Sequence, residues 1–210
     1  MHEELVSRSI ELPGGALRLL QPKESAELPD DGPVEWAPMT PYWSVIWRSG
    51  VALARATDTS ALAGLRVLEL GCGMALPSLA AARAGALVLA TDESDEALEL
   101  VERNARLNDV ELETAVVDWV SPSELFDRGP FDVVVASDVL YERASVGHLL
   151  SLLPRLAPEA WIADPGRPAS AVFFDQAWER WDVELLRDGV IALHRLRFAE
   201  AHLDPARAGP

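Results

Sequence analysis

Apolar and polar positions along the chain fall into short blocks whose period changes from two to near four and back. Val6–Leu12 and Ala16–Gln21 flank Pro13-Gly14-Gly15, a spacing that predicts a β-hairpin. Residues 22–35 are rich in proline and acid and read as a loop. Pro41-Tyr42-Trp43-Ser44-Val45-Ile46-Trp47 then leads into a helix through about Ala56. From Leu65 strands and helices alternate: strand 65–70, helix 75–84 stopped by Gly85, and strand 86–91. A helix follows to about Asn108, with Ser94 as its N-cap and Asp95 and Glu96 in its first turn. Strands 111–117 and 131–137, a helix over roughly 143–156 and strand 159–163 continue the pattern. Continuous runs such as Val133-Val134-Val135 suit parallel strands covered on both faces.

Such alternation implies a doubly wound α/β sheet, Rossmann-like in its order. Beyond five β–α units, helix 169–180, strand 181–186, the turn Arg187-Asp188-Gly189 and strand 190–197 add a closing hairpin. That ending distinguishes a seven-stranded methyltransferase sheet, with helices on both faces, from a nucleotide-binding dehydrogenase half. The expected organisation is an N-terminal β-hairpin and loop extension over 1–40, one catalytic domain over 41–198, and a loose tail over 199–210 without periodicity.

Val67-Leu68-Glu69-Leu70-Gly71-Cys72-Gly73-Met74-Ala75 carries the most chemistry. An apolar strand enters paired glycines and then an Ala-rich helix, an arrangement that lets backbone N–H groups approach a ligand. A dinucleotide fingerprint needs a third glycine at position 76, which is Leu76. Glu69, an acid beside the turn, suits a ligand with an amino group, and so S-adenosylmethionine rather than NAD.

Ligands of doubly wound sheets sit beyond the C-terminal strand ends. Those ends carry Glu69, Gly71 and Gly73; Asp92; Asp118 and Trp119; and Ser137 and Asp138. Asp92 lies where a carboxylate binds both ribose hydroxyls, or else starts the next helix. Trp119 lies against adenine or belongs to the core. Asp118 accepts from the adenine amino group or caps a short helix near Ser121. Cys72 contributes its backbone. Asp138-Val139-Leu140-Tyr141 follows the fourth strand, beside the expected position of a sulfonium methyl. Methyl transfer is an in-line displacement, so Asp138 is assigned to positioning an amine, with general base as its alternative role, and Tyr141 with nearby tryptophans to partly desolvating it. An N-cap with a packed tyrosine is the plainer alternative.

Composition narrows the partners. The net charge of −16 repels phosphate backbones, which disfavours nucleic acid, and it either favours a basic protein surface or a cationic side chain or serves only solubility. No run of 18 apolar residues occurs, so the expectation is a soluble, untargeted, cytoplasmic protein without a membrane partner. One cysteine and four scattered histidines make no metal constellation and no intrachain disulfide.

Taken together, these residues resemble the seven-strand protein lysine methyltransferases grouped as family 16, and most nearly the branch acting on the electron-transfer flavoprotein β subunit. The resemblance spans roughly residues 40–180. It rests on Pro41-Tyr42-Trp43 with Trp47, the Glu69–Gly73 turn, Asp92, Asp118-Trp119, Asp138–Tyr141 and Asp164-Pro165-Gly166-Arg167-Pro168. It implies that Trp47, Gly71, Gly73, Asp92, Trp119 and Ser137 bind the cofactor S-adenosylmethionine, and that Asp138 and Tyr141 form the lysine end. Ala75 replaces a glycine common in relatives and is expected only to tighten packing. The function expected is N-methylation of a protein lysine. The alternatives are a small-amine methyltransferase on the same sheet and a non-catalytic cofactor-binding module, the latter disfavoured by intact Asp138 and Tyr141.

Overall fold

The computed structural model describes residues 4–26, 41–188 and 190–198. Its chain begins with β1 (Leu5–Leu12) and β2 (Gly15–Pro22), an antiparallel hairpin paired from Leu5↔Pro22 to Leu12↔Gly15. One helical turn, α1 (Lys23–Ala26), stands at the start of the segment read as a loop. The remainder of that loop lies outside the described residues, as do the tail and Gly189 of the closing turn.

The alternating region follows the hydrophobic pattern closely. It comprises α2 (Arg48–Thr57), β3 (Arg66–Leu70), α3 (Leu76–Arg83), β4 (Leu87–Asp92), α4 (Asp95–Leu107) and β5 (Glu113–Val116). Then come α5 (Ser123–Arg128), β6 (Val133–Ser137), α6 (Arg143–Leu156), β7 (Glu159–Asp164), α7 (Pro168–Trp178), β8 (Asp182–Asp188) and β9 (Ile191–Arg197). Seven strands form one sheet in the order β5-β4-β3-β6-β7-β9-β8. The first five run parallel, and β9 slots between β7 and β8 antiparallel to both.

Two helical layers bury this sheet. Leu68, Leu70, Val134 and Ala136 face α5, α6 and α7 through Leu125, Leu149, Leu153 and Phe173. Val67, Val133 and Val135 point the other way, into Ala52, Leu53 and Ala81 of α2 and α3. The Val133–Val135 run is buried throughout, as its lack of alternation requires. The chain reverses direction across the sheet between β3 and β6, which opens a crevice at their C-terminal ends.

The N-terminal hairpin is fastened to α4 by side chains that imitate a strand. Asn104 accepts from Leu20 N (2.7 Å) and donates to Leu20 O (3.1 Å). Asn108, one turn later, does the same to Arg18 N (2.9 Å) and Arg18 O (2.6 Å). The outer edge of β2 is thereby satisfied by a helix face.

Candidate functional site

Beyond β3 the backbone takes a left-handed path at Gly71 (φ 61°) and Gly73 (φ 49°). A Cβ on Gly73 would stand 2.8 Å from the Trp43 carbonyl oxygen, and one on Gly71 would press on Val139 and Trp119. Both positions therefore require glycine for conformation and for space. Three of the turn's amides are committed within the protein: Cys72 N donates to Thr91 O (2.9 Å), Gly73 N to Asp92 Oδ2 (2.8 Å) and Ala75 N to Cys72 O (2.6 Å). The expectation that these N–H groups face a ligand is corrected by those bonds. A phosphate would find them occupied, unlike the free amides of a phosphate-cradling loop.

Two further expectations at the turn are corrected. Ala75 caps α3 with left-handed backbone (φ 51°) and no side-chain hydrogen bond, so its methyl group adds strain of order 1 kcal/mol besides tightening packing. Glu69 does not line the cleft. Its side chain is fully buried, and Oε2 accepts from Ser78 N (3.0 Å) and Ser78 Oγ (2.5 Å) in the first turn of α3. This carboxyl supplies the cap that Ala75 lacks. Burial, set against the Ser78 hydrogen bonds, pushes its pKa up to about 8, with Asp92 adding repulsion.

The other residues singled out from sequence converge on one cleft of about 760 Å³ at the crevice. On the β3–β4–β5 side lie Gly71, Cys72, Gly73, Asp92, Asp118 and Trp119. Asp92 holds the turn with Oδ2 and accepts from Ser94 N with Oδ1 (3.0 Å), each oxygen keeping a further lone pair. Trp119 is half-buried, its ring edge against Gly71. Asp118 Oδ1 accepts from Val120 N (2.8 Å), which shapes the loop before α5, while α5 itself is capped by Pro122. Burial, then Glu69 and Asp92, raises the Cys72 thiol well above its ordinary range, which leaves it unreactive.

On the β6 side lie Trp47, Ser137, Asp138 and Tyr141. Trp47 precedes α2 and its indole donates to Tyr42 O (3.1 Å). Asp138 has a left-handed backbone (φ 57°), with its amide on Ala163 O (3.0 Å) and its side chain nearly buried. Strain of this kind in a non-glycine residue persists where the surrounding fold over-determines it. Tyr141 is 56% exposed at the rim. Desolvation, followed by Glu93, Glu142, Asp92 and Tyr42, raises its phenol above the ordinary value.

Arg167, at the N-cap of α7, is a cleft residue without an assigned role in the sequence pattern. Its Nε (3.1 Å) and Nη2 (2.7 Å) both donate to Asp138 Oδ1, and its guanidinium lies 5.9 Å from the Trp47 ring. The signal was present in Asp164-Pro165-Gly166-Arg167-Pro168: Asp164 Oδ1 accepts from Gly166 N (2.7 Å) and Arg167 N (2.9 Å), folding the run so that Arg167 reaches the cleft. Glu93, Glu142 and Tyr42 also line it and were not singled out. Asp92, Glu93, Asp118, Asp138 and Glu142 give the cleft a strongly negative lining.

Residues 42–162 match the sequence profile of a family described as lysine methyltransferase. The chain belongs to that family. Among relatives, the electron transfer flavoprotein beta subunit lysine methyltransferase of Danio rerio is 30% identical over 171 residues, 78% of this chain and 64% of its own length. The chain thus spans less than two thirds of that relative. The histone-arginine methyltransferase METTL23 of Xenopus laevis is 36% identical over 108 residues, 48% of this chain and 46% of its own length. Among solved structures, magnesium protoporphyrin IX methyltransferase from Synechocystis with bound SAM superposes with a TM-score of 0.56 at 18% identity, covering 71% of this chain and 79% of that one. The Rossmann-like methyltransferase fold expected from sequence is the one observed. Among the described residues, no helix is long and apolar enough to cross a membrane.

Proposed function

We propose that this chain transfers a methyl group from S-adenosylmethionine to a lysine side chain of a protein, with residues 41–198 as the catalytic unit. The observation that carries the reading is one continuous cleft with Asp92 and Trp119 at one end and Asp138 and Tyr141 at the other. Lone pairs and carboxylates dominate its lining, and the amides of Cys72, Gly73 and Ala75 are spent, so a cationic sulfonium with an amino group suits it better than a pyrophosphate.

The residues fit such a donor. Asp92 would hold the ribose hydroxyls, Trp119 and Asp118 the adenine, and Trp47, Ser137 and the Gly71–Gly73 turn the remainder. The bound donor supplies an electrophilic methyl group. Asp138 orients the acceptor nitrogen, Tyr141 and Tyr42 strip water from its alkyl stem, and Glu93 and Glu142 draw the ammonium to the rim. Alignment of a nitrogen lone pair is then the main catalytic contribution. A basic surface on the target protein complements the acidic rim. A cytoplasmic setting belongs to the same proposal, supported by a single cysteine and hence no disulfide framework.

Incubation of a host lysate with radiolabelled S-adenosylmethionine tests this reading. Label is expected in a lysine of one or a few proteins, and Asp138→Ala is expected to lose at least 100-fold in transfer while still binding S-adenosylhomocysteine. Label confined to small molecules, or equal labelling by the variant, contradicts it.

A further inference from the structure

Holding a lysine with a carboxylate creates a difficulty that the cleft itself answers. An acceptor amine must lose a proton before it can react, and its unperturbed pKa is about 10.4. An opposing carboxylate within about 4–6 Å raises such a value by roughly 1–3 units. Five carboxylates line this cleft: Asp92 at the end of β4 and Glu93 after it, Asp118 after β5, Asp138 after β6 and Glu142 before α6. The neutral or titrating neighbours are Tyr42, Tyr141 and His148, and Asp164 lies behind Arg167 at the end of β7. Left uncompensated, that lining would hold an entering lysine firmly as ammonium.

Of the described residues lining the cleft, Arg167 is the sole lysine or arginine. Its two hydrogen bonds converge on Oδ1 of Asp138, and Oδ2 receives no hydrogen bond from a described residue. The backbone that delivers it is held independently, since Asp164 is buried and bonds the Gly166 and Arg167 amides. Ser170 N (3.0 Å) and Oγ (2.6 Å) fix the Arg167 carbonyl from inside α7.

We propose that Arg167 is a positioning residue that neutralises Asp138 on one oxygen, so that the other can orient the acceptor amine without stabilising its protonated form. The inference rests on the lysine reading above. The ammonium proton passes to water and the nitrogen keeps its electron pair. Guanidinium is suited to the task because it does not titrate in the working range. An Arg167 that only anchored α7 would affect stability but not the ionisation of the acceptor.

The experiment uses the full chain with S-adenosylhomocysteine and, as probe, Nα-acetyl-lysine methylamide labelled with 13C at Cε. The 13Cε shift of the bound probe is followed against pH, and methyl transfer to the same probe is followed in parallel. In the unmodified protein the titration of the bound amine sets the reference value. In Arg167→Gln its pKa is expected to rise by about 1–2 units. The optimum for transfer should then move alkaline, and kcat at pH 7.5 should fall about 10- to 100-fold while KM also falls, because the ammonium is held more tightly. Arg167→Lys is expected to restore most of the ionisation, and S-adenosylhomocysteine affinity in all three proteins reports that the fold survives. An unchanged 13Cε titration in Arg167→Gln, with cofactor affinity intact, overturns the proposal. Failure of the probe to bind even the unmodified protein overturns the lysine reading and this inference with it.

Discussion

Glu69 sits two residues before the glycine turn, yet its carboxyl ends on Ser78 in the first turn of α3. Position in the sequence suggested a ligand contact; burial decides otherwise, because a strand residue points to one face or the other and this one points into the packed layer. A carboxyl whose folded-state pKa is raised to about 8 favours folding while protonated. Its contribution is fully present below the unfolded value of about 4.3 and is lost as pH rises through about 8. Over that window Glu69→Gln is expected to gain stability relative to the unmodified protein, by an amount of order 5 kcal/mol at most. Urea denaturation at pH 5, 7 and 9 measures it, and a pH-independent difference would contradict the assignment. Asp92, Trp119, Asp138 and Tyr141 were legible because strand ends in a doubly wound sheet have a fixed address. Arg167 was not, because its reach depends on how Asp164 folds the chain ahead of α7.

At the scale of elements, the periodic pattern identified each strand of the seven-stranded sheet and the helices between them except α5 (Ser123–Arg128), with ends displaced by one or two residues. β5 is shorter than the apolar run suggested, Glu113–Val116 rather than 111–117. What the pattern could not supply is how elements meet. Asn104 and Asn108 read as ordinary polar positions late in a helix, but they lie one turn apart and close the edge of β2. Asn104 is fully buried, so Asn104→Ala would strand both Leu20 groups. The expected cost is about 2–3 kcal/mol, a fall in Tm of roughly 5–10 °C. Asn108 lies at the exposed end of the clasp, where water replaces the lost bonds, and Asn108→Ala should lower Tm by no more than about 3 °C. Thermal denaturation of the two variants checks the order; equal losses would contradict it, and no loss in either would mean that the hairpin is held by packing alone.

For the whole molecule, the net charge of −16 and the position of the cleft at the β3–β6 reversal act together. A doubly wound sheet opens a crevice at that reversal whatever its ligand, so the crevice alone does not separate a sulfonium donor from a dinucleotide. The separation comes from the amides of Cys72 and Gly73, already bonded to Thr91 and Asp92, and from the carboxylates around them. Leu76 in place of a third glycine hinted at this from sequence; the hydrogen bonds give the physical reason. Calorimetric titration of the purified chain with S-adenosylhomocysteine, and separately with NAD, is the most direct test. The account predicts one site per chain for S-adenosylhomocysteine at roughly 10 μM or tighter, about −7 kcal/mol, and no heat with NAD. Saturable binding of NAD with none of S-adenosylhomocysteine would contradict it.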